Sequence, residues 1–553
     1  MAYIGWRARH GGHVDWSHLI GTESPEWQRD LQQARIGEKK FLIATSIGGH
    51  LPSATIESML GVALTLRHVE AEFLLCDGVL PACMSCEVRW HADIEKFART
   101  GPGEVRCRHC FSPAKAMLDS PGLVTHSYST YLDSESRRRA REIAGNADVK
   151  ELASLTIDGI PVGEHALAGA LRFFARGDLE SDSACGAVAR RYLEAALLTL
   201  YAVRNLLTGA GYDCVVLHHG IYVPQGIVAE VARSMGIRVV TWHPAYRKRC
   251  FIFSHNTTYH HALMSESNDQ WQDISWDDER DQQIADYLKS RWQGNRDWIS
   301  FQHASKFGGD EIARELGVDL SRPCIGLLTN VYWDAQLHYP ANAFPNMLDW
   351  LLKTISYFIK RPDIQLLIRI HPAEIYGTVP SRQCMADEIH RAFPRSSGNI
   401  YIIEPESSLS TYAVMALCDS VLIYGTKTGV ELSSMGIPVI VAGEAWIRGK
   451  GISLDSNDEN HYFELLDGLP LEERLSAAKV KRARKYAYHF FFRRMIPLEF
   501  MCPTKGWPMY RIGILGLQAL RPGASHGLDI ICNGILNGTP FVYSAEKYAS
   551  VPL

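Results

Sequence analysis

The sequence shows no strong excess of charge of one sign. Its 553 residues include 57 lysines and arginines against 61 aspartates and glutamates, so the formal net charge at pH 7 is −4. A nucleic-acid backbone is held mainly by clustered positive charge. Because no such cluster dominates this chain, we expect no nucleic-acid partner.

Long hydrophobic runs and a dense set of cysteines are also missing. No stretch approaches the roughly 20 apolar residues that a membrane-spanning helix needs, and residues 1–16 lack the apolar core of a signal peptide. The 13 cysteines are too sparse for a disulfide scaffold, and most of them stand singly in apolar runs. The sequence therefore favours a cytoplasmic protein whose cysteines are reduced.

What the sequence does contain is a repeated alternation of short apolar runs and amphipathic stretches. This alternation predicts the strands and helices of parallel α/β sheets. In the first half, the predicted strands are FLIATS (41–46), AEFLLC (71–76), DCVVLHH (213–219) and IRVVTWHP (237–244), with helices over about 53–67, 134–147, 164–176, 187–209 and 225–236. In the second half, the predicted strands are CIGLLTN (324–330), IQLLIRIHP (364–372), NIYIIEP (399–405), SVLIYG (420–425) and IPVIVAG (437–443).

Two such units predict a doubly wound pair that binds its ligands in the cleft between the carboxyl ends of the strands. The first Rossmann-like domain is expected over 1–260, with a cysteine-rich insertion over 77–120. A polar connector follows over 261–320, and the second Rossmann-like domain covers 321–480. We expect the helical tail over 481–553 to pack back on the body of the molecule.

The segment YGTKTGVELSSMGIPVIVAG (424–443) carries the most chemical information. A strand ends at its start, a turn with Gly425 and Thr426 follows, and a helix begins near Thr428, so backbone N–H groups should face the cleft and suit a phosphate. One turn inside that helix, Glu431 could accept hydrogen bonds from a ribose. The alternative is that the two threonines only cap the helix and Glu431 is an acid of its first turn.

The run GVELSSMGIPVIVAG resembles the donor-site segment of GT-B glycosyltransferases, in which a glutamate binds the ribose of the nucleotide; the matching residue is Glu431. The pair His371 and Pro372 in IRIHPAE is similar to the HP element of bacterial sialyltransferases and of capsule Kdo-transferase-like enzymes, whose histidine meets the donor phosphate. The serine pair expected after that element appears here as Thr426 and Thr428, so CMP, UDP and GDP all remain open as the donor nucleotide. The resemblance implies a GT-B fold, with two Rossmann-like domains facing a central cleft.

Side chains on the donor side could stabilise a departing phosphate. A histidine at a strand end, such as His371, can donate a hydrogen bond and has a pKa near enough to neutral for acid work; the alternative is a structural histidine beside a proline turn. Lys427, Arg448 and Lys450 could add positive charge. Because GT-B enzymes generally work without a bound metal, the resemblance implies no catalytic metal.

The acceptor side is expected in the N-terminal domain. The loop IGGH contains Gly48, Gly49 and His50 and is similar to the glycine loop that many GT-B enzymes place facing the donor diphosphate or the acceptor. His50 and Asp77 follow predicted strands and are candidates for the base, although either could instead cap backbone groups. The group His255, His260 and His261 is a further acceptor-side candidate whose spacing matches no metal site.

Four cysteines form two C-x-x-C pairs within the predicted insertion. This paired spacing is typical of a structural zinc site, since each pair can direct two thiolates at one ion. An iron–sulfur cluster, with Cys76 as an extra ligand, is an alternative, and so are two unrelated pairs of free thiols. The predicted metal ligands are Cys83, Cys86, Cys107 and Cys110.

The sequence therefore predicts a glycosyltransferase that moves a hexosyl, Kdo or sialyl group from a nucleotide sugar to a growing surface glycan, free or lipid-linked. The basic aromatic run YAYHFFFRRM (486–495) could lie on the inner face of the cytoplasmic membrane, or it could be a packed helix with a solvated face. Two alternative functions are a nucleotide-sugar epimerase with the same double-Rossmann plan and a zinc-ribbon binding module on an inactive GT-B body.

Overall fold

A computed structural model describes two α/β units and a C-terminal segment that packs against both. The described residues are 12–179, 183–292, 297–298, 308–335, 337, 340–395 and 397–548. The strands are β1 (Lys40–Ser46), β2 (Glu70–Leu75), β3 (Val124–Ser127), β4 (Cys214–His218), β5 (Arg238–Pro244), β6 (Cys250–His255), β7 (Cys324–Leu328), β8 (Gln365–Arg369), β9 (Ile400–Ile403), β10 (Ser420–Ile423), β11 (Val439–Val441), β12 (Leu454–Asp455), β13 (Ile496–Pro497), β14 (Met501–Pro503) and β15 (Tyr510–Ile512).

The α-helices alternate with these strands through most of the chain and cover both faces of each sheet. They span Trp16–Ile20, Ser24–Arg35, Leu51–Thr65, Ile94–Thr100, Glu104–Asp119, Ser134–Asn146, Val162–Phe174, Ser183–Leu207, Gln225–Ser234, Tyr259–Ser265, Asp278–Trp292, Gly309–Leu316, Met347–Ile359, Ala373–Tyr376, Met385–Ala392, Thr411–Met415, Thr428–Ser434, Glu459–Asp467, Ala477–Tyr488 and His526–Asn537. None of the described helices is both long and apolar enough to cross a membrane.

The N-terminal sheet has the strand order β13-β6-β5-β4-β1-β2-β3. Strands β1 to β5 pair in parallel, whereas β6 and β13 pair antiparallel at one edge. The central strands read as continuous apolar runs because helices cover both of their faces. The parallel order brings the carboxyl ends of β1, β2, β4 and β5 to one edge of the sheet.

The C-terminal sheet is parallel throughout, with the order β12-β11-β10-β7-β8-β9. Its central strands β7, β8 and β10 are fully buried. The predicted fold class, an α/β protein with two Rossmann-like units, is therefore confirmed. Strands β3, β6 and β12 to β15, however, were not predicted.

Residues of the C-terminal tail enter both cores. The helix Ala477–Tyr488 packs against the helix Thr428–Ser434 of the C-terminal unit, and the next residues add β13 to the N-terminal sheet. The helix His526–Asn537 then covers the N-terminal sheet, where Leu528 is fully buried.

The aromatic run 486–495 does not supply a membrane-facing surface. Its tyrosine and phenylalanine side chains are buried in the core beneath the C-terminal sheet, with Phe490 and Phe491 at 0% exposure. Burial of these rings leaves no apolar face for lipid. The membrane interpretation of this run is therefore wrong; the run is packed, as the alternative held, but without the solvated face that the alternative included.

The segment 77–120 forms part of the crossover from β2 to β3. It contains the helices Ile94–Thr100 and Glu104–Asp119, and the second of these helices places Met117 and Leu118 in the same core as β1 and β2. At least this half of the segment therefore belongs to the α/β unit itself.

Candidate functional site

The C-terminal wall of the cleft begins at the end of β8, where His371 is held by two backbone contacts. Its N–H donates to the Thr329 hydroxyl after β7 (3.1 Å), and its Nδ1 accepts from the Ala373 N–H (3.0 Å). Because Nδ1 accepts, the proton of the neutral ring lies on Nε2. Burial lowers the pKa of His371 to about 3, and the charges of Lys427 and Arg369 add to this effect. The ring is therefore a neutral donor, which differs from the near-neutral acid expected from the sequence.

Lys427 and Glu431 belong to a buried charge network after β10. Glu431 is fully buried, and its carboxylate contacts Lys427 Nζ and Arg291 Nη2, each at 3.2 Å. The Tyr412 hydroxyl donates to the same carboxylate. Burial opposes ionisation of Glu431, but Arg291 and Lys427 outweigh it and lower its pKa.

This network limits what Glu431 can do in the arrangement seen here. Glu431 is fully buried and both of its oxygens are already engaged, so a ribose could reach them only after the surrounding side chains move. Lys427 also lies 4.8 Å from the ring centroid of Tyr246, which follows β5 in the other unit. The role of Glu431 as a ribose ligand stays a prediction.

The turn between β10 and the helix Thr428–Ser434 is tied down locally. Thr428 N–H donates to the Thr426 hydroxyl (3.3 Å), and the Gly425 carbonyl accepts from Asn330 Nδ2 (3.2 Å). The Thr426 hydroxyl therefore accepts from the first N–H of this helix, which matches the capping alternative for Thr426 but not for Thr428. This capping leaves the predicted phosphate contact untested.

Two other predicted cations, Arg448 and Lys450, donate hydrogen bonds to backbone carbonyls. Arg448 donates to the carbonyls of Gly443 (3.0 Å) and Ser456 (2.8 Å). Lys450 is almost fully buried and donates to the carbonyls of Met264 (3.2 Å) and Glu266 (2.5 Å). Their charges are directed at these carbonyl oxygens.

The N-terminal wall of the cleft is lined by a row of imidazoles, which we call the histidine cluster. Ring centroids lie 5.2 Å apart for His50 and His218, 5.5 Å for His218 and His243, and 5.2 Å for His219 and His243. Burial, followed by mutual repulsion, keeps the pKa of His218 and His219 well below the usual range. Burial also lowers the pKa of His243, and that of the nearby His260 to about 3, so His218, His219, His243 and His260 are neutral at pH 7.

His243 stands at the end of β5 with a defined tautomer. Its Nδ1 lies 2.7 Å from the Pro244 carbonyl oxygen, which can only accept a hydrogen bond. Nδ1 therefore carries the proton, and Nε2 presents a lone pair. This is the opposite arrangement to His371, whose Nε2 carries the proton.

Side chains from both units meet across the cleft. The Tyr222 hydroxyl, after β4, donates to Asp334 (2.5 Å), after β7. His260 stacks on Trp446 at 5.3 Å between centroids, and His261 lies 3.6 Å from Glu444. The carboxyl ends of the two sheets therefore face each other, as Rossmann-like pairs require.

Other residues predicted for the acceptor side lie apart from the histidine cluster. The carboxylate of Asp77 accepts from the backbone and hydroxyl of Ser129 and lines a separate pocket. His255 contacts the Thr539 carbonyl (2.9 Å) in the tail, so the three-histidine group of the sequence is divided.

Close packing explains why the loop IGGH contains two glycines. A Cβ on Gly48 would lie 2.3 Å from Ala114 Cβ, and one on Gly49 would lie 3.1 Å from Cys110 Sγ. The loop thus lets the helix Glu104–Asp119 approach β1 closely. Contact of this loop with a ligand stays a prediction.

The four predicted metal ligands lie in two pairs. Cys83 and Cys86 have their sulfurs 3.8 Å apart, while Cys107 and Cys110 lie one turn apart on their helix, and Cys110 Sγ accepts from Gly49 N–H (3.0 Å). Among the residues that the structure describes, no group of three or more His, Cys, Asp or Glu is arranged to hold a metal ion. The structure therefore does not support metal binding, and the zinc or iron–sulfur site stays a prediction.

Sequence reasoning missed His218, His219 and His243 as site residues. A signal was present for His243, because His243 and Pro244 end β5 with the same His–Pro pair that singled out His371 just after β8. No comparable local pattern marked Arg291, because it lies in the polar helix Asp278–Trp292 and contacts Glu431 only in the folded protein.

No protein-family model matches this chain, and no curated protein matches it. Among solved structures it is similar to the KpsC beta Kdo 2,4 transferase of Thermosulfurimonas dismutans, with 12% identity and a TM-score of 0.32 over 50% of this chain and 79% of that chain. It is also similar to a UDP-GlcNAc 2-epimerase of Neisseria meningitidis, with 11% identity and a TM-score of 0.24 over 81% of this chain and 95% of that chain. Values this low leave the reaction open, and the assignment of the fold rests on the two sheets themselves.

Proposed function

We propose that the protein is a glycosyltransferase that moves a sugar from a nucleotide sugar to a glycan acceptor, the growing surface glycan expected from the sequence. One observation carries the proposal: His371 and His243 stand at strand ends on opposite walls of the cleft with complementary tautomers. The donor-segment and HP resemblances in the sequence agree with it.

The chemistry needs a proton acceptor on one wall and stabilisation of the departing phosphate on the other. His243 Nε2 would take the proton of the acceptor hydroxyl as the new bond to the sugar forms. His371 Nε2–H and Lys427 would stabilise the phosphate oxygen as the bond to the donor sugar breaks. Asp77 is a weaker candidate for the base, because its carboxylate is directed into another pocket.

Thermal unfolding in the presence of CMP, UDP, GDP and their common sugar conjugates tests the donor side. A ligand that binds only the folded state stabilises it, by about 2.7 kcal/mol at 100 times its Kd. We expect one nucleotide to stabilise the wild type and Lys427→Gln to lose most of that shift, while the exposed control Lys479→Gln keeps it.

Measurement of kcat then distinguishes residues that bind the nucleotide from residues that act in the transfer step. His371→Ala should keep nucleotide binding but lower kcat about a hundredfold, the size typical of a lost donor to a developing anion. No stabilisation by any nucleotide, or wild-type turnover in His371→Ala, would contradict the proposal. Conversion of the donor sugar without an acceptor would favour the epimerase instead.

A further inference from the structure

A second pocket, which we call the tryptophan pocket, opens beside the histidine cluster and has a volume of about 460 Å³. Its walls include Gly49 and His50 of the glycine loop and Thr378, which follows His371 in the C-terminal unit. The His50 ring also stacks on His218 at 5.2 Å, so the pocket and the histidine cluster share His50.

Two tryptophans present large apolar surfaces to this pocket. Trp90 is 45% exposed and Trp507 is 39% exposed, whereas Trp242 and Trp350 are fully buried. Trp507 also contacts the His50 ring edge-on, with centroids 5.4 Å apart. Exposed indole rings that line a concave site are well suited to cover an apolar ligand face, such as the C–H face of a sugar ring.

The same pocket carries an excess of positive charge. Its lining includes Arg89, Arg106 and Arg172 but only one carboxylate, that of Glu87. Arg89 (2.5 Å) and Arg172 (3.4 Å) both pair with that carboxylate.

Arg106 has a different environment from these two. Arg89 and Arg106 both lie against the ring of Trp90, at 4.9 and 6.0 Å from its centroid, but of these two only Arg89 has a carboxylate partner among the described residues. The charge of Arg106 contributes, after burial, to the lowered pKa of the neighbouring His91. A guanidinium in this position is suited to a carboxylate of a bound ligand.

We propose that the tryptophan pocket binds a carboxylate-bearing sugar residue of the acceptor glycan. The sugar ring lies against Trp90 and Trp507, and its carboxylate pairs with Arg106. This inference rests on the transferase proposal, because the pocket shares His50 with the histidine cluster that contains His243.

Binding of defined saccharides tests it. The acidic probes are trigalacturonic acid, 3′-sialyllactose and a hyaluronan tetrasaccharide, and the neutral counterparts are maltotriose and lactose. Their binding is measured by tryptophan fluorescence and by calorimetry. We expect at least one acidic probe to bind, its neutral counterpart to bind at least tenfold more weakly, and binding to weaken with salt. Arg106→Gln and Trp507→Ala should each lower the affinity at least tenfold, while the exposed control Arg395→Gln leaves it unchanged.

Three outcomes would overturn the inference. They are no binding of any acidic probe, equal binding of acidic and neutral saccharides, and displacement of the acidic saccharide by an equal concentration of inorganic phosphate. Thermal stabilisation of the same variants by nucleotide distinguishes failure of this inference from failure of the transferase proposal. A protein that binds nucleotide but no acidic saccharide loses only this inference, whereas saccharide binding without any nucleotide response contradicts the transferase.

Discussion

The buried carboxylate of Glu431 and the two cations beside it form the most constrained group of single residues on the C-terminal wall. Arg291 and Glu431 are 4% and 0% exposed at the side chain, and Lys427 adds a second positive charge. A buried charge that loses its partner costs about 3 to 5 kcal/mol of stability. The network therefore acts as a structural support beneath the predicted donor site, whatever its contact with a ligand.

Glu431→Gln should lower the free energy of unfolding by about 3 kcal/mol at pH 7, because Arg291 and Lys427 keep their charges. Since the folded-state pKa of Glu431 is lowered from 4.5, its stabilising effect is present above that pH and is lost as the pH falls. Urea unfolding at several pH values should show the two proteins converge in acid. A difference that stays constant down to pH 3 would contradict this account.

At the scale of elements, the tail makes the N-terminal sheet depend on residues from the other end of the chain. The helix His526–Asn537 packs against the sheet, and Arg67 of the N-terminal unit pairs with Asp529 (2.6 Å). Arg238 donates to the Ile535 carbonyl (2.8 Å) of the same helix. The tail is thus part of the N-terminal core.

Leu528→Ala should destabilise the protein by about 2 to 5 kcal/mol, the range for truncating a buried leucine. Leu515→Ala, earlier in the same tail, removes a fully exposed side chain and should change stability by less than about 0.5 kcal/mol. Chemical denaturation of both variants measures the difference. Equal effects would show that the tail helix is not packed on the sheet.

For the whole molecule, the neutral histidines make stability depend on pH. Burial lowers the pKa of His260 and His371 to about 3 from the ordinary 6.5, and His218 and His219 shift in the same direction. The unfolded chain therefore binds more protons than the folded protein below pH 6.5, so stability falls as the pH drops.

Unfolding measured between pH 7.5 and 5 should show this loss, at up to about 1.4 kcal/mol per pH unit for each such histidine. The variant His260→Gln should take up about one proton fewer on unfolding, which makes the free energy of unfolding depend less steeply on pH. The exposed control His68→Gln should leave this dependence unchanged. An identical slope in His260→Gln and the wild type would contradict a neutral, buried His260.

The sequence alone determined the two α/β units, most of their strands and the position of His371, because hydrophobic periodicity and strand-end residues are local signals. Only the tertiary structure decided which of these residues meet. Strand β6 and the tail strand β13 pair at the sheet edge through long-range contacts, and Arg291 reaches Glu431 from a distant helix. The buried aromatic run resembled a membrane surface for the same reason, since its partners lie far away in the chain and no local pattern contains them.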